Sequence, residues 1–239
     1  MSCDDVCIEM LKSSCVVAAL ALYFCPPAAA TQCVGTHLEQ HVLAAPPAQL
    51  PPDGGIVVGS VSVAGPFAQG KAGRNSTVWS VRIDGRDATA NAAVTTLAPG
   101  LVVYQAPKAA KRIAVLEGKL IRARSSFTDS YGAALAGPQA SRILHEVNQE
   151  LVGIKLIVSM STPAPADAIA MIVYDARSRA RTWAPVKAGA TTVVVYDDIL
   201  CKSVPAGTIE PSPGDKITLA WVDSAGRVSP RSAPLTVSQ

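Results

Sequence analysis

Charge is scarce in this chain: Asp, Glu, Lys and Arg make up only 16% of its 239 residues, and Phe, Trp and Tyr only 5%. A formal charge of +3 is too small for the electrostatic footprint of a nucleic-acid binder. No C-x-x-C pair occurs, so zinc and dithiol redox chemistry have no support. No G-x-S-x-G elbow occurs, so the usual signature of an activated hydrolytic serine is missing. Gly54-Gly55 lacks the Lys and Ser/Thr that complete a phosphate loop. What dominates instead is Ala, Val, Ser, Thr, Gly and Pro. That mixture favours many short strands joined by turns over long helices. The apolar share, 49%, is too high for a disordered chain.

The N-terminus reads as a targeting segment. Residues 15–25, CVVAALALYFC, are uncharged and apolar but too short for a membrane span of about 20 residues. Pro26-Pro27 breaks the run, and Ala28-Ala29-Ala30 supplies small residues for signal-peptidase cleavage after Ala30. Residues 1–9 contain Asp4, Asp5 and Glu9 where a signal peptide carries a basic region. Translation from Met10 removes the misfit and puts Lys12 in the right place. The expected order is therefore a signal peptide over 1–30 with its true start at Met10. Lipidation fits poorly, because Phe24 precedes Cys25 and Gln32 precedes Cys33. After Ala30 no long uncharged apolar run remains, so no transmembrane segment is expected in the mature chain.

Processing sorts the six cysteines. Cys3, Cys7, Cys15 and Cys25 leave, and Cys33 and Cys201 remain. An even pair in an exported chain points to a Cys33–Cys201 disulfide. Cleavage also removes more acid than base, and much of the remaining excess lies in Lys108, Lys111, Arg112, Lys119, Arg122 and Arg124. This cluster can meet anionic envelope polymers. Without interleaved aromatics it reads first as a solvated face.

Along the mature chain, residues 31–53 form a Pro-rich extended leader, centred on AAPPAQLPPD. Strand patterns then crowd into residues 54–124: Ile56–Val58, Val61–Val63, Val78–Ile83, Leu101–Tyr104 and Ile113–Leu116. Residues 125–149 are a connector, with SRILHEVNQE left open between helix and strand. A second strand-rich region runs from 150 to 239 and includes Leu151–Met160, Ala168–Tyr174, Thr191–Tyr196, Lys216–Val222 and Leu235–Val237. Strict alternation puts Ile217, Leu219 and Trp221 on one face, so Trp221 belongs to the core.

Residues 217–237, ITLAWVDSAGRVSPRSAPLTV, resemble the last two strands of bacterial fibronectin type III and related immunoglobulin-like domains. The resemblance rests on Val222, Asp223, Gly226, Val228, Ser229, Pro234 and Val237. Together with the spacing of strands and turn signals in both regions, the expectation is an all-β chain of two immunoglobulin-like (fibronectin type III-like) sandwiches, 54–124 and 150–239. Such domains act as adhesive, spacer or binding modules, and the fold by itself implies no activity.

Candidate chemistry is thin. His37 and His41 stand at i, i+4, but Glu39 is misplaced for the H-E-x-x-H metalloprotease pattern, so a surface turn is expected. His145 has no obvious partner. Asp84-Gly85-Arg86-Asp87 and Asp197-Asp198 suit turns better than calcium loops. Trp183, between Arg181 and Pro185, is the candidate for stacking on a glycan. No catalytic residue, metal or cofactor is assigned. The sequence reads as an exported, non-enzymatic structural or protein-binding module of the bacterial cell envelope, placed in the periplasm, on the surface or outside the cell. Its expected partner is an envelope protein or polysaccharide. The alternatives are a carbohydrate-binding module using Trp183 and an enzyme with dispersed residues around His145 or His37/His41.

Overall fold

The computed structural model describes residues 36–43, 47–64, 79–89, 92–117, 119–129, 132–148, 153–197, 204–205 and 207–239. All of them belong to one unit, Cys33–Gln239. Every regular element among them is a β-strand.

Three sheets share the strands. Sheet I has the order β1 (Thr36–Val42), β3 (Gly55–Ala64), β7 (Leu101–Gln105), β6 (Ala93–Ala98), and β15 (Val204–Pro205) also pairs with β3. Sheet II has the order β2 (Gln49–Leu50), β9 (Leu120–Phe127), β8 (Arg112–Glu117), β4 (Trp79–Ile83), β5 (Arg86–Asp87). Sheet III runs β13 (Ala180–Pro185), β12 (Ala168–Asp175), β16 (Lys216–Asp223), β17 (Leu235–Ser238), β10 (Ala140–Asn148), β11 (Gly153–Met160), β14 (Thr192–Asp197).

Sheet III curls back on itself. β17 makes the corner, pairing antiparallel with β16 at Ile217↔Leu235 and parallel with β10 at Ile143↔Val237. The two ends of the sheet then approach, and the Thr182 hydroxyl of β13 donates to the Val195 carbonyl of β14 at 3.2 Å. Inside this near-barrel Ile143, Leu156, Val158, Met171, Val173, Val193, Val195, Ile217, Leu219 and Trp221 are buried together.

Sheet I is covered on both faces, and period-two alternation explains how. Ile56 and Val58 of β3 join Val81, Ile113 and Val115 of sheet II in one core. Val57 points the other way and, with Leu101 and Val103, packs against Ala170, Ile172, Ala220 and Val222 of sheet III. β12 and β16 are thus buried on both faces, one inside the near-barrel and one against sheet I. This accounts for the unbroken apolar runs AIAMIVY and LAWV. The two strand-rich regions share a continuous interior.

Two turns of sheet III use one device. Asp175 Oδ1 accepts from the backbone N–H of Arg177 and Arg179, and Oδ2 takes Arg179 Nε at 2.8 Å. Asp223 Oδ1 accepts from the N–H of Ala225 and Arg227, and Oδ2 takes Arg227 Nε at 2.8 Å. The fourth residue of each turn is left-handed: Ser178 at φ 64° and Gly226 at φ 79°. The Asp223 turn reaches into the neighbouring layers. Ala225 is fully buried in the core between sheets I and II, and its carbonyl accepts from Gly55 N–H at 2.8 Å. Downstream, the Pro-containing stretch cannot extend a regular ladder. Ser229 Oγ and Ser232 Oγ accept from the N–H of Trp221 and Leu219 instead.

Several elements differ from the sequence reading. The leader over 31–53 contains β1, held to β3 through seven residue pairs, and β2. Sheet pairing overrides the local Pro-rich composition there. The segment left open at 141–150 forms β10, because β11 and β17 supply its hydrogen-bond partners. Strands therefore begin upstream of the boundaries expected at 54 and 150. The signal peptide over 1–30 and Met10 lie outside the described residues.

Candidate functional site

The outer face of sheet II carries a basic cleft. On β4, Trp79 and Val81 are buried and Arg82 is exposed. On β8, Arg112 is exposed, Ile113 and Val115 are buried, and Ala114 is half-buried between them. On β9, Ala123 and Ser125 are buried and Arg124 is exposed. Pairing puts these positions in one row, Arg82↔Ala114↔Arg124. Arg82 and Arg124 therefore stand two strand spacings apart, about 10 Å, over the small side chain of Ala114. Arg112 lies two residues along β8, on the same face.

The β4–β5 turn closes one end. Asp84 is left-handed at φ 51°, and its Oδ1 accepts from the backbone N–H of Lys111 at 3.0 Å and Arg112 at 2.9 Å. This fastens the start of β8 and occupies one oxygen of the only carboxylate lining the cleft. Next to Arg82, the Thr89 N–H and hydroxyl, with a smaller contribution from the Arg82 charge, hold Asp87 below the usual carboxylate range. The cleft has a volume of about 890 Å³, and Ile121 and Phe127 add apolar surface to the Lys111, Arg112, Arg82 and Arg124 side chains. Such an arrangement suits anions, since guanidinium forks match planar acidic groups in pairs of hydrogen bonds.

The sequence cluster is only partly gathered here. Lys111, Arg112 and Arg124 line the cleft, whereas Lys108 and Lys119 do not. Arg122 pairs with Glu117. Arg82 is the member that sequence reading missed. It lies 30 positions before Arg112, and only the pairing of β4 with β8 joins them.

Trp183 requires a correction. It is 1% exposed, lies on β13 in the core shared by sheets I and III, and donates from Nε1 to the Pro99 carbonyl at 3.0 Å. Sheet I covers the ring, so no face is open for a sugar. Trp221 is 2% exposed and belongs to the near-barrel core. His37 and His41 lie on β1, opposite Val63 and Gly59, rather than in a surface turn. Four residues along a strand set their Cα atoms about 13 Å apart, against about 6 Å on a helix, so i, i+4 is not a chelating spacing here.

His145 does find a partner: Nε2 lies 2.8 Å from Glu210 Oε1. The ring is 7% exposed, and its Nδ1 is buried without a hydrogen-bond partner. Neither residue lines the basic cleft. Among the described residues, no three His, Cys, Asp or Glu side chains converge as metal ligands. Cys33, Cys201 and Asp198 lie outside the described residues. The neighbouring strand ends are placed: Thr36 pairs with Ala64 and Val204 with Ser62, both on β3.

No protein-family model matches the chain, and no curated protein matches it. Among solved structures, a biofilm-associated protein BSP domain is similar over 82% of this chain at 14% identity, with a TM-score of 0.27. The match takes in 29% of that neighbour's length. Among the described residues, no helix is long and apolar enough to cross a membrane.

Proposed function

We propose that the chain is an exported, non-enzymatic structural or protein-binding module of the bacterial cell envelope, built from immunoglobulin-like sandwiches. The observation that carries this reading is the double-sided burial of sheet I. Ile56 and Val58 enter one core and Val57 the other, so the layers cannot slide without opening apolar surface. A stiff body of this kind suits a spacer or a presenting scaffold. The signal-peptide pattern at the N-terminus supports export.

The test is expression with a C-terminal tag in a bacterial host, followed by fractionation and N-terminal sequencing. The expected product leaves the cytoplasm and begins at Thr31. A full-length product retained in the cytoplasm would refute the reading. Cross-linked capture from intact envelopes then names the partner, with a stoichiometric protein as the expected outcome. The carbohydrate-binding alternative loses Trp183 to the core and gains the basic cleft of sheet II.

A further inference from the structure

We propose that the cleft bounded by Arg82, Arg112 and Arg124 is a binding site for an acidic polysaccharide. The inference goes beyond the module reading and draws on it only for access to such a polymer.

Four cationic side chains line the cleft against one carboxylate, Asp84, which is already engaged by two backbone N–H groups. Arg82, Lys111, Arg112 and Arg124 are all exposed. Like charges on one exposed face repel, less so at Arg82, whose charge Asp87 on β5 partly offsets, and an incoming polyanion relieves that repulsion. Three of the four are arginines, which suits bidentate pairing with carboxylate or phosphate groups.

The shape points to an extended chain. Ala114 leaves a trough between Arg82 and Arg124, and their spacing of about 10 Å admits a polymer of ring width with acidic groups on either side. Ile121, 41% exposed, and the half-buried Phe127 offer apolar surface to the C–H faces of sugar rings. A peptide cannot add to this face as a strand, because β8 is paired on both sides by β4 and β9. Single-stranded nucleic acid fits less well, since Phe127 is the only aromatic residue in the lining.

The experiment uses the mature chain, with polygalacturonate as the carboxylate probe and polyglycerol phosphate as the phosphate probe. Neutral dextran, oligo-deoxythymidylate and phosphatidylglycerol vesicles serve as comparators. Binding is measured by titration calorimetry at low and moderate salt. The wild type is expected to bind at least one acidic polymer, more weakly as salt rises, and to ignore dextran. Arg82→Gln with Arg124→Gln is expected to weaken binding at least about tenfold, with unchanged thermal unfolding. Lys187→Gln with Lys216→Gln removes the same charge from sheet III and its flanking loop and is expected to leave binding within about twofold.

Equal losses in the two double variants would reduce the effect to general charge and overturn the proposal. So would failure to bind both acidic polymers. Tighter binding of oligo-deoxythymidylate or of vesicles would transfer the cleft to nucleic acid or to membrane. The processing assay can fail independently of all these outcomes, which separates this proposal from the export reading.

Discussion

The indole of Trp183 lies directly against the backbone of Gly59. A Cβ at Gly59 would come within 2.5 Å of Cη2 and 2.9 Å of Cζ2. One side chain of sheet III thus touches β3 through this contact and reaches the β6–β7 turn through its hydrogen bond to Pro99. Gly59→Ala is expected to destabilise the protein by about 1–3 kcal/mol through overpacking. Trp183→Ala is expected to cost about 3–5 kcal/mol through the cavity it leaves. Urea unfolding measures both. A loss below about 0.5 kcal/mol in either variant would mean that this contact is not part of the folded protein. Trp183→Phe should keep polymer binding, since the ring serves the core.

The Asp223 and Asp175 turns share a geometry but not an environment. The Asp223 side chain is 3% exposed and that of Arg227 18%, whereas Arg179 is 60% exposed. Arg227 also donates to the Gly132 and Ala133 carbonyls, which fastens the connector. Asp223→Ala strands a partly buried guanidinium and is expected to cost about 3 kcal/mol. Asp175→Ala should cost clearly less. Thermal melts of the two variants side by side decide this, and equal losses would contradict it.

Acid should weaken the fold through its aspartates. Asp175 is held below the usual carboxylate range, chiefly by the Arg179 backbone N–H and further by the Arg179 side chain and the Arg177 N–H, with burial opposing. A depressed folded pKa means that the folded state binds fewer protons than the unfolded one. The contribution is therefore complete above the unfolded aspartate pKa of about 3.9 and fades as pH falls below it. Asp175→Asn should flatten the stability profile between about pH 5 and pH 2 and leave the profile near neutral pH unchanged in shape. An identical acid limb in the variant would assign the acid loss to other groups.

The proposed Cys33–Cys201 bridge rests on the even cysteine pair left in an exported chain. β1 already occupies one side of β3 at Val61 and Ser62, so β15 pairs with the same residues from the other side. Each cysteine lies three positions before its strand, Thr36 or Val204. Non-reducing peptide mapping should find the two joined. Reductant should then lower stability by up to about 4–5 kcal/mol, the chain-entropy figure for so long a loop. Two free thiols in the exported protein would refute the pairing.

Much of the strand inventory was legible in the sequence. Alternation marked Val78–Ile83, and apolar runs bounded by turn signals marked Leu101–Tyr104, Ile113–Leu116 and Ala168–Tyr174; each lies in or overlaps a strand. The Asp223-to-Gly226 turn and the core position of Trp221 were read from their neighbours alone. Among the strands that escaped, which include β6 and β9, three have a local composition that argues otherwise. Residues 36–42 sit before a Pro-rich stretch, 140–148 carry a helix-like spacing, and 180–185 hold Arg181 and end on Pro185.

Local sequence settles what neighbouring residues settle, namely φ/ψ preference, turn type and which side chains share a face. It therefore determined that this is an all-β chain and where most strands lie. It does not say which sheet will cover a given face, because that depends on partners far along the chain. Only the tertiary structure decided that Ile172 and Ala220 face sheet I, that Trp183 is interior, and that His145 meets Glu210. The cleft has the same origin. Arg82, Arg112 and Arg124 are scattered in the sequence, and long-range β pairing sets them on one surface, where their charges add.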